Sequence, residues 1–199
     1  MVEKGELKEI SLKLTLIGEH FVGKTSMIER FVNGTFDKSY QATIGFSFLS
    51  KTIELDGVKC TVNVWDTSGS ERHRAVAPNY YRGTDGCILV YDVSNPQSVE
   101  PLSYWYEEFT SLVSLPNYDN IPILLIGNKA DLPYEKSTYQ DAQSFAETHH
   151  IEKHFLASAL DGRNINEAFN ELVKMCIGNQ TIQFSSILMT NEPTEKRCC

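Results

Sequence analysis

At 199 residues with 41% hydrophobic side chains, the chain is long enough for one substantial core and short for two. A formal net charge of −8 works against nucleic acid as a partner, because binding its backbone needs clustered Lys and Arg on one face. Of five cysteines, Cys60, Cys87 and Cys176 lie in strand-like or helical runs without CxxC spacing and read as buried thiols rather than metal ligands.

Residues 1–9 read as a charged N-terminal extension without the apolar stretch of a secretory signal. No run reaches the ~18 apolar residues of a membrane span, so a reducing, cytosolic setting is expected. Next, Ile10, Leu12, Leu14 and Leu16 alternate and run into Gly18, which predicts a strand entering a glycine loop. A helix is expected over 24–32. Two β-rich runs between 46 and 65 meet at Asp56-Gly57, a dipeptide that tolerates the positive φ of a tight turn, so they are expected to pair as an antiparallel hairpin. The nearly continuous apolar runs 86–91 and 121–126 read as central strands covered on both faces, each followed by a helical pattern. After the short run 154–156, Ile165, Ala168, Phe169, Leu172, Val173 and Cys176 fall at helical spacing, with Asn164 placed to cap. The prediction is an α/β fold, a doubly wound, mostly parallel six-stranded sheet with one antiparallel edge, in a single domain over 10–177. From Gly178 the periodicity fades, and 178–199 reads as a flexible tether outside the fold.

Gly18-Glu-His-Phe-Val-Gly23-Lys24-Thr25 matches G-x-x-x-x-G-K-[ST] between a predicted strand and a predicted helix. In such a loop the backbone N–H groups of His20, Phe21, Val22 and Gly23 and the helix start at Ser26 surround phosphates, Lys24 neutralises the outer ones, and the Thr25 hydroxyl ligates magnesium. An accidental match is about a one-in-a-hundred event per chain at average glycine usage. Asp66, at the end of the alternating run 60–65, is placed to hold the same ion, and Gly69 three residues on to offer an N–H to a γ-phosphate. A lone DxxG is weak without Lys24 upstream. Thr43 fits a further hydroxyl ligand and, taken alone, fits a generic loop threonine equally well.

Asn128-Lys129-Ala130-Asp131 follows an apolar strand, at the rim where open α/β sheets hold ligands. A carboxylate at Asp131 accepts two N–H bonds from the edge of guanine, whereas adenine would leave that charge unpaired; discrimination of this kind reaches about 10⁴-fold. Ser158, Ala159 and Leu160 follow the run 154–156, and a backbone N–H of Ser158-Ala159 suits the guanine carbonyl. A P-loop kinase or ATPase fits these residues poorly.

In order, GxxxxGKT, Thr43, DTSG, NKAD and SA resemble the Ras superfamily of small GTPases over about residues 8–177. Within it, IGFSF, WDTSGSER, YYRG and ILVYDVS look like the Rab family. The resemblance implies a GTP- and GDP-binding switch that uses Mg2+ and hydrolyses GTP, acts in vesicular traffic and is a monomer. Phe36 would cover the guanine edge and Tyr40 would close over the phosphates. Effectors, exchange factors and GTPase-activating proteins would read segments 36–45 and 67–81 with the aromatic surface trio Phe48, Trp65 and Tyr80. Cys198-Cys199 resembles the doubly prenylated Rab ending, which implies prenylation machinery, a GDP-dissociation inhibitor and membrane anchoring by two lipid chains. The protein would then cycle between the cytosol and the cytosolic face of an intracellular membrane, and HRAVAPNYYRG points toward endosomal members.

The chain departs from the family pattern at its chemistry. WDTSGSE replaces WDTAGQE, putting Ser70 where a glutamine orients the attacking water, and His20 and Phe21 stand where small residues are usual. Serine is too short to reach that water. Hydrolysis is therefore expected to be slowed ~10-fold to 10³-fold, with Ser70, His20 and Lys24 as the catalytic candidates and His20 able to substitute for the missing contact. The alternative reading is a binding module that holds GTP and scarcely hydrolyses it.

Overall fold

The computed structural model describes residues 8–37, 46–67, 80–113 and 121–190. Six strands, β1 (Lys8–Ile17), β2 (Phe46–Leu55), β3 (Val58–Thr67), β4 (Gly86–Asp92), β5 (Ile123–Asn128) and β6 (Lys153–Leu156), form one sheet in the order β2-β3-β1-β4-β5-β6. Only β2 runs antiparallel to its neighbour among these pairs. The described helices are α1 (Lys24–Asn33), α2 (Leu102–Val113), α3 (Lys136–Thr148) and α4 (Ile165–Thr190). The expected fold class is thus the observed one.

Burial on both faces follows from the alternation in each strand. Leu12, Leu14 and Leu16 of β1, Ile88 and Val90 of β4, and Leu124 and Ile126 of β5 point into a core closed by α1 and α4, where Phe31 and Phe169 stack with centroids 4.2 Å apart. Cys87, Leu89, Tyr91 and Leu125 point the other way, against Trp105 and Phe109 of α2 and Ala142 and Ala146 of α3. The β2–β3 turn forms as predicted, with Asp56 at φ 49° and Gly57 at φ 78°, the pair of positive angles of a type I′ hairpin. Cys60, Cys87 and Cys176 are buried free thiols; burial pushes Cys60 up to about 11 and raises the other two.

Several boundaries differ from the sequence reading. β1 begins at Lys8, inside the expected extension, because its backbone pairs with β3 from Val58 onward. β5 begins at Ile123 rather than 121, since Pro122 has no N–H for the ladder and serves as an acceptor for the Cys87 N–H at 3.0 Å. Asn164 carries φ 57°, and its Nδ2 donates to the Leu156 carbonyl at 2.7 Å instead of capping an N–H of α4. α4 runs on to Thr190, through the start of the expected tether. A helix already nucleated by packing adds one hydrogen bond per further residue, and this propagation needs no apolar period.

Candidate functional site

The order of strands sets the location. From β1 the chain leads to β3 on one side of it and then to β4 on the other, so the carboxyl ends of β1 and β4 bound a crevice at the point where the sheet's winding reverses. The glycine loop crosses this point. Gly18 has φ 141°, and a Cβ there would lie 2.2 Å from the Val90 carbonyl oxygen; at Gly23, φ 94°, it would lie 2.3 Å from Asn128 Nδ2. Both positions admit glycine alone, one for its approach to β4 and one for its approach to β5.

Lys24, the first residue of α1, folds back over the loop and is buried; its Nζ donates to the carbonyls of Gly18 and Glu19, both at 2.8 Å. Burial lowers its pKa to about 8, against the opposing pull of Asp66 and Glu19. A cation stripped of water and met by two neutral carbonyls is suited to an anion in the loop, which would restore its ordinary basicity. The N-cap of α1 is Gly23, so no side chain caps the first-turn N–H groups. Thr25 Oγ1 donates to Asp66 Oδ2 at 2.6 Å, bringing a hydroxyl and a buried carboxylate to one point, a donor pair that suits a hard divalent cation. Ser26 lies half-buried behind them. His20 and Phe21 are exposed at the outer edge of the loop, their ring centroids 6.0 Å apart. The His20 N–H is taken by Glu19 Oε1 at 2.8 Å.

On the other side of the crevice, Asn128 at the end of β5 ties the loops together: its Nδ2 donates to the Val22 carbonyl at 2.8 Å and its Oδ1 accepts from the Ala159 N–H at 3.1 Å. Ser158 Oγ donates to Asp131 Oδ1 at 2.5 Å, and Leu160 is exposed beside them. Of the Ser158-Ala159 N–H groups expected to face a ligand carbonyl, that of Ser158 donates to the Arg163 carbonyl at 3.0 Å and that of Ala159 to Asn128, the acceptor it would share or exchange. Lys129 stands at φ 65° with its Nζ 2.6 Å from Asp92 Oδ2. The sequence reading missed Asp92; a lone carboxylate ending an apolar strand was its only signal.

Phe36 packs half-buried against the α1–α4 core. Phe48 is 57% exposed and stacks on Trp65 at 5.5 Å, and Trp65 meets Tyr80 edge-on at 5.7 Å. Tyr80, expected on the surface, is buried. Lys13 explains part of this: its Nζ sits 4.2 Å from the Trp65 ring centre and donates to the carbonyls of Tyr80 and Arg82, drawing that backbone onto the sheet. Tyr40, Thr43, Gly69, Ser70, Cys198 and Cys199 lie outside the described residues.

A profile of the Ras family matches residues 13–178. The chain belongs to the Ras family. Among curated proteins, this Ras-family chain is similar to the Ypt/Rab-type GTPase ypt7 of Schizosaccharomyces pombe, 38% identical over 86% of this chain and 85% of that protein. It is also similar to the Ras-related protein Rab-7a of Paramecium octaurelia, 35% identical over 84% and 82% of the two chains. The Ras-related protein Rab-9A of Rattus norvegicus is 32% identical over 96% of this chain and 98% of that protein. These relatives put it in the Rab branch of small GTPases. Among the described residues, no helix of this Rab-type protein is long and apolar enough to cross a membrane.

Proposed function

We propose that this Rab-type protein binds GTP and GDP with Mg2+ and acts as a slowly hydrolysing membrane switch in vesicular traffic on the endosomal route. The observation that carries the reading is the convergence, at one crevice, of the buried Lys24 ammonium, the Thr25–Asp66 oxygen pair and the Asn128–Asp131 rim. The loop 18–23 binds phosphates through its N–H groups, Lys24 neutralises the outermost, and Asp131 accepts from the amino edge of guanine once Ser158 yields its bond. Magnesium bound there would neutralise charge on the phosphate oxygens. Thr25 and Asp66 would hold it from the protein side, with Thr43 as a further ligand. Ser70 cannot orient the attacking water as a glutamine does, which lengthens the GTP-bound state, and His20 is the residue nearest to replacing that contact.

Support for traffic comes from the Rab branch itself and from the HRAVAPNYYRG segment, which resembles endocytic members. Effectors and regulators are proposed to read segments 36–45 and 67–81 together with the Phe48–Trp65 pair. The Cys198-Cys199 ending is proposed to take two prenyl groups, which suffices for stable anchoring without a spanning helix.

The test is single-turnover hydrolysis of preloaded GTP beside Ser70→Gln, after a competition in which ATP fails to displace GTP. Wild type is expected to be slow, with Ser70→Gln faster by at least ~10-fold. Equal rates in the two proteins would refute slow hydrolysis through Ser70, and displacement by ATP would refute the guanine reading.

A further inference from the structure

Arg30 lies in the last turn of α1, the helix whose first turn carries Lys24 and Thr25. Its Nε donates to the Ala159 carbonyl at 2.8 Å, its Nη2 to the Leu160 carbonyl at 2.5 Å, and its Nη1 to the Gly34 carbonyl at 2.8 Å. A guanidinium presents its donors in a rigid planar fork, and bonds from an ionised donor are stronger than neutral ones, so one side chain fixes two separate stretches of backbone. One stretch is the loop 158–160, separated from Arg30 by 129 and 130 positions. The other is Gly34, which closes α1 two positions before Phe36. Gly162 completes the fit: at φ 85° its backbone passes over the Arg30 stem, with Cδ 3.6 Å from where a Cβ would stand. From the inside the same loop is tethered by the Ala159 N–H to Asn128 Oδ1 and by Ser158 Oγ to Asp131 Oδ1. Asn128 and Asp131 are groups that a base would engage, whereas Arg30 faces none of them and remains in place when a ligand enters.

We propose that Arg30 is a positioning residue for base recognition, holding the 158–160 backbone at the height from which it reads the 6-oxo group of the purine. This rests on the guanine reading of residues 128–131 and 158–160 given above. It ties the C-terminal end of α1 to the base loop, so that the helix bearing the phosphate-binding residues also sets the depth of that loop. Removal of the guanidinium leaves the 159–160 carbonyls without their charged donor, while the loop keeps its own bonds from the Ser158 N–H to the Arg163 carbonyl and from the Gly162 N–H to the Ser158 carbonyl.

Three nucleotides separate this role from general support. GDP carries both the 6-oxo and the 2-amino groups, inosine diphosphate keeps only the 6-oxo, and 2-aminopurine riboside diphosphate keeps only the amino group. Equilibrium competition among them is measured on the full chain for wild type, Arg30→Met and Arg30→Lys. Wild type is expected to prefer GDP over both analogues. Arg30→Met is expected to lower the preference over the 2-aminopurine nucleotide by about 10-fold and to speed GDP release, through loss of charge-assisted bonds to the loop. Its preference over inosine diphosphate, read by Asp131, should stay within about twofold of wild type. Arg30→Lys should fall between, because one ammonium cannot span the three carbonyls. It keeps the charge and the stem, and it carries the same test if Arg30→Met does not fold. Equal weakening of all three nucleotides, or no change in any, overturns the positioning role. A wild-type protein without preference for GDP overturns the guanine reading and this inference with it.

Discussion

Phe21 is the residue most at odds with its backbone. It holds φ 61° in the left-handed region while its ring is 65% exposed, so the cost of the conformation is not offset by burial. Glycine adopts that region freely, and Phe21→Gly is expected to raise the melting temperature by roughly 2–4 °C, corresponding to about 1 kcal/mol at this chain length. Phe21→Ala keeps the Cβ and the strain, so its melting temperature should stay near wild type; a rise equal to that of Phe21→Gly would mean that the ring, not the φ angle, is costly. Lys24, Thr25 and the flanking glycines were legible in the sequence because the loop that cradles phosphates is contiguous in the chain. Asp92 and Arg30 were not, because each acts through a partner brought to it only by folding, Lys129 in one case and the 159–160 carbonyls in the other.

At the scale of elements, α4 packs closely on β4 at a glycine. A Cβ on Gly86 would stand 2.7 Å from Cys176 Sγ and 3.1 Å from side-chain atoms of Leu14 and Leu172. Cys176 has little freedom to retreat, since its thiol donates to the Asp85 carbonyl at 3.2 Å. Gly86→Ala is therefore expected to destabilise by about 1–3 kcal/mol in denaturant unfolding, the usual cost of overpacking. Adding Cys176→Ala should recover a measurable part of the loss. Strict additivity of the two changes would show that the sulfur is not what the added methyl meets. The nearly continuous apolar run 86–91 marked both faces of β4 as covered, and helical spacing placed Cys176 on the buried side of α4. That spacing could not foresee that α4 continues to Thr190, because propagation of a helix beyond its packed part leaves no apolar period to read.

For the whole molecule, the pH dependence of stability has an identifiable contributor in His154. Burial among Tyr91, Tyr139 and Gln143 lowers its pKa to about 4; its Nε2 shares a hydrogen with Tyr91 OH at 3.0 Å and its Nδ1 with Gln143 Oε1 at 3.0 Å. Its value in the unfolded chain is about 6.5, so between pH 6.5 and 4 the unfolded state binds the extra proton. Stability present above pH 6.5 is thus lost as the pH falls toward 4, by on the order of 3 kcal/mol from this residue. Unfolding measured across that window should be steeper for wild type than for His154→Gln, and equal slopes would show that His154 is not buried neutral in solution. The sequence by itself determined the order of strands and helices, the hairpin at Asp56-Gly57, the phosphate loop and its neighbours, and the family that these motifs resemble. All of these are carried by local spacing, which survives without coordinates. Only the tertiary structure decided which distant groups meet: the joining of Val22 to Ala159 through Asn128, the burial of Tyr80 beneath Lys13, and the three carbonyls gathered by Arg30. Such contacts depend on the stacking of strands in the order β3-β1-β4-β5, which brings remote segments together at one edge and leaves no periodic trace in the residues themselves.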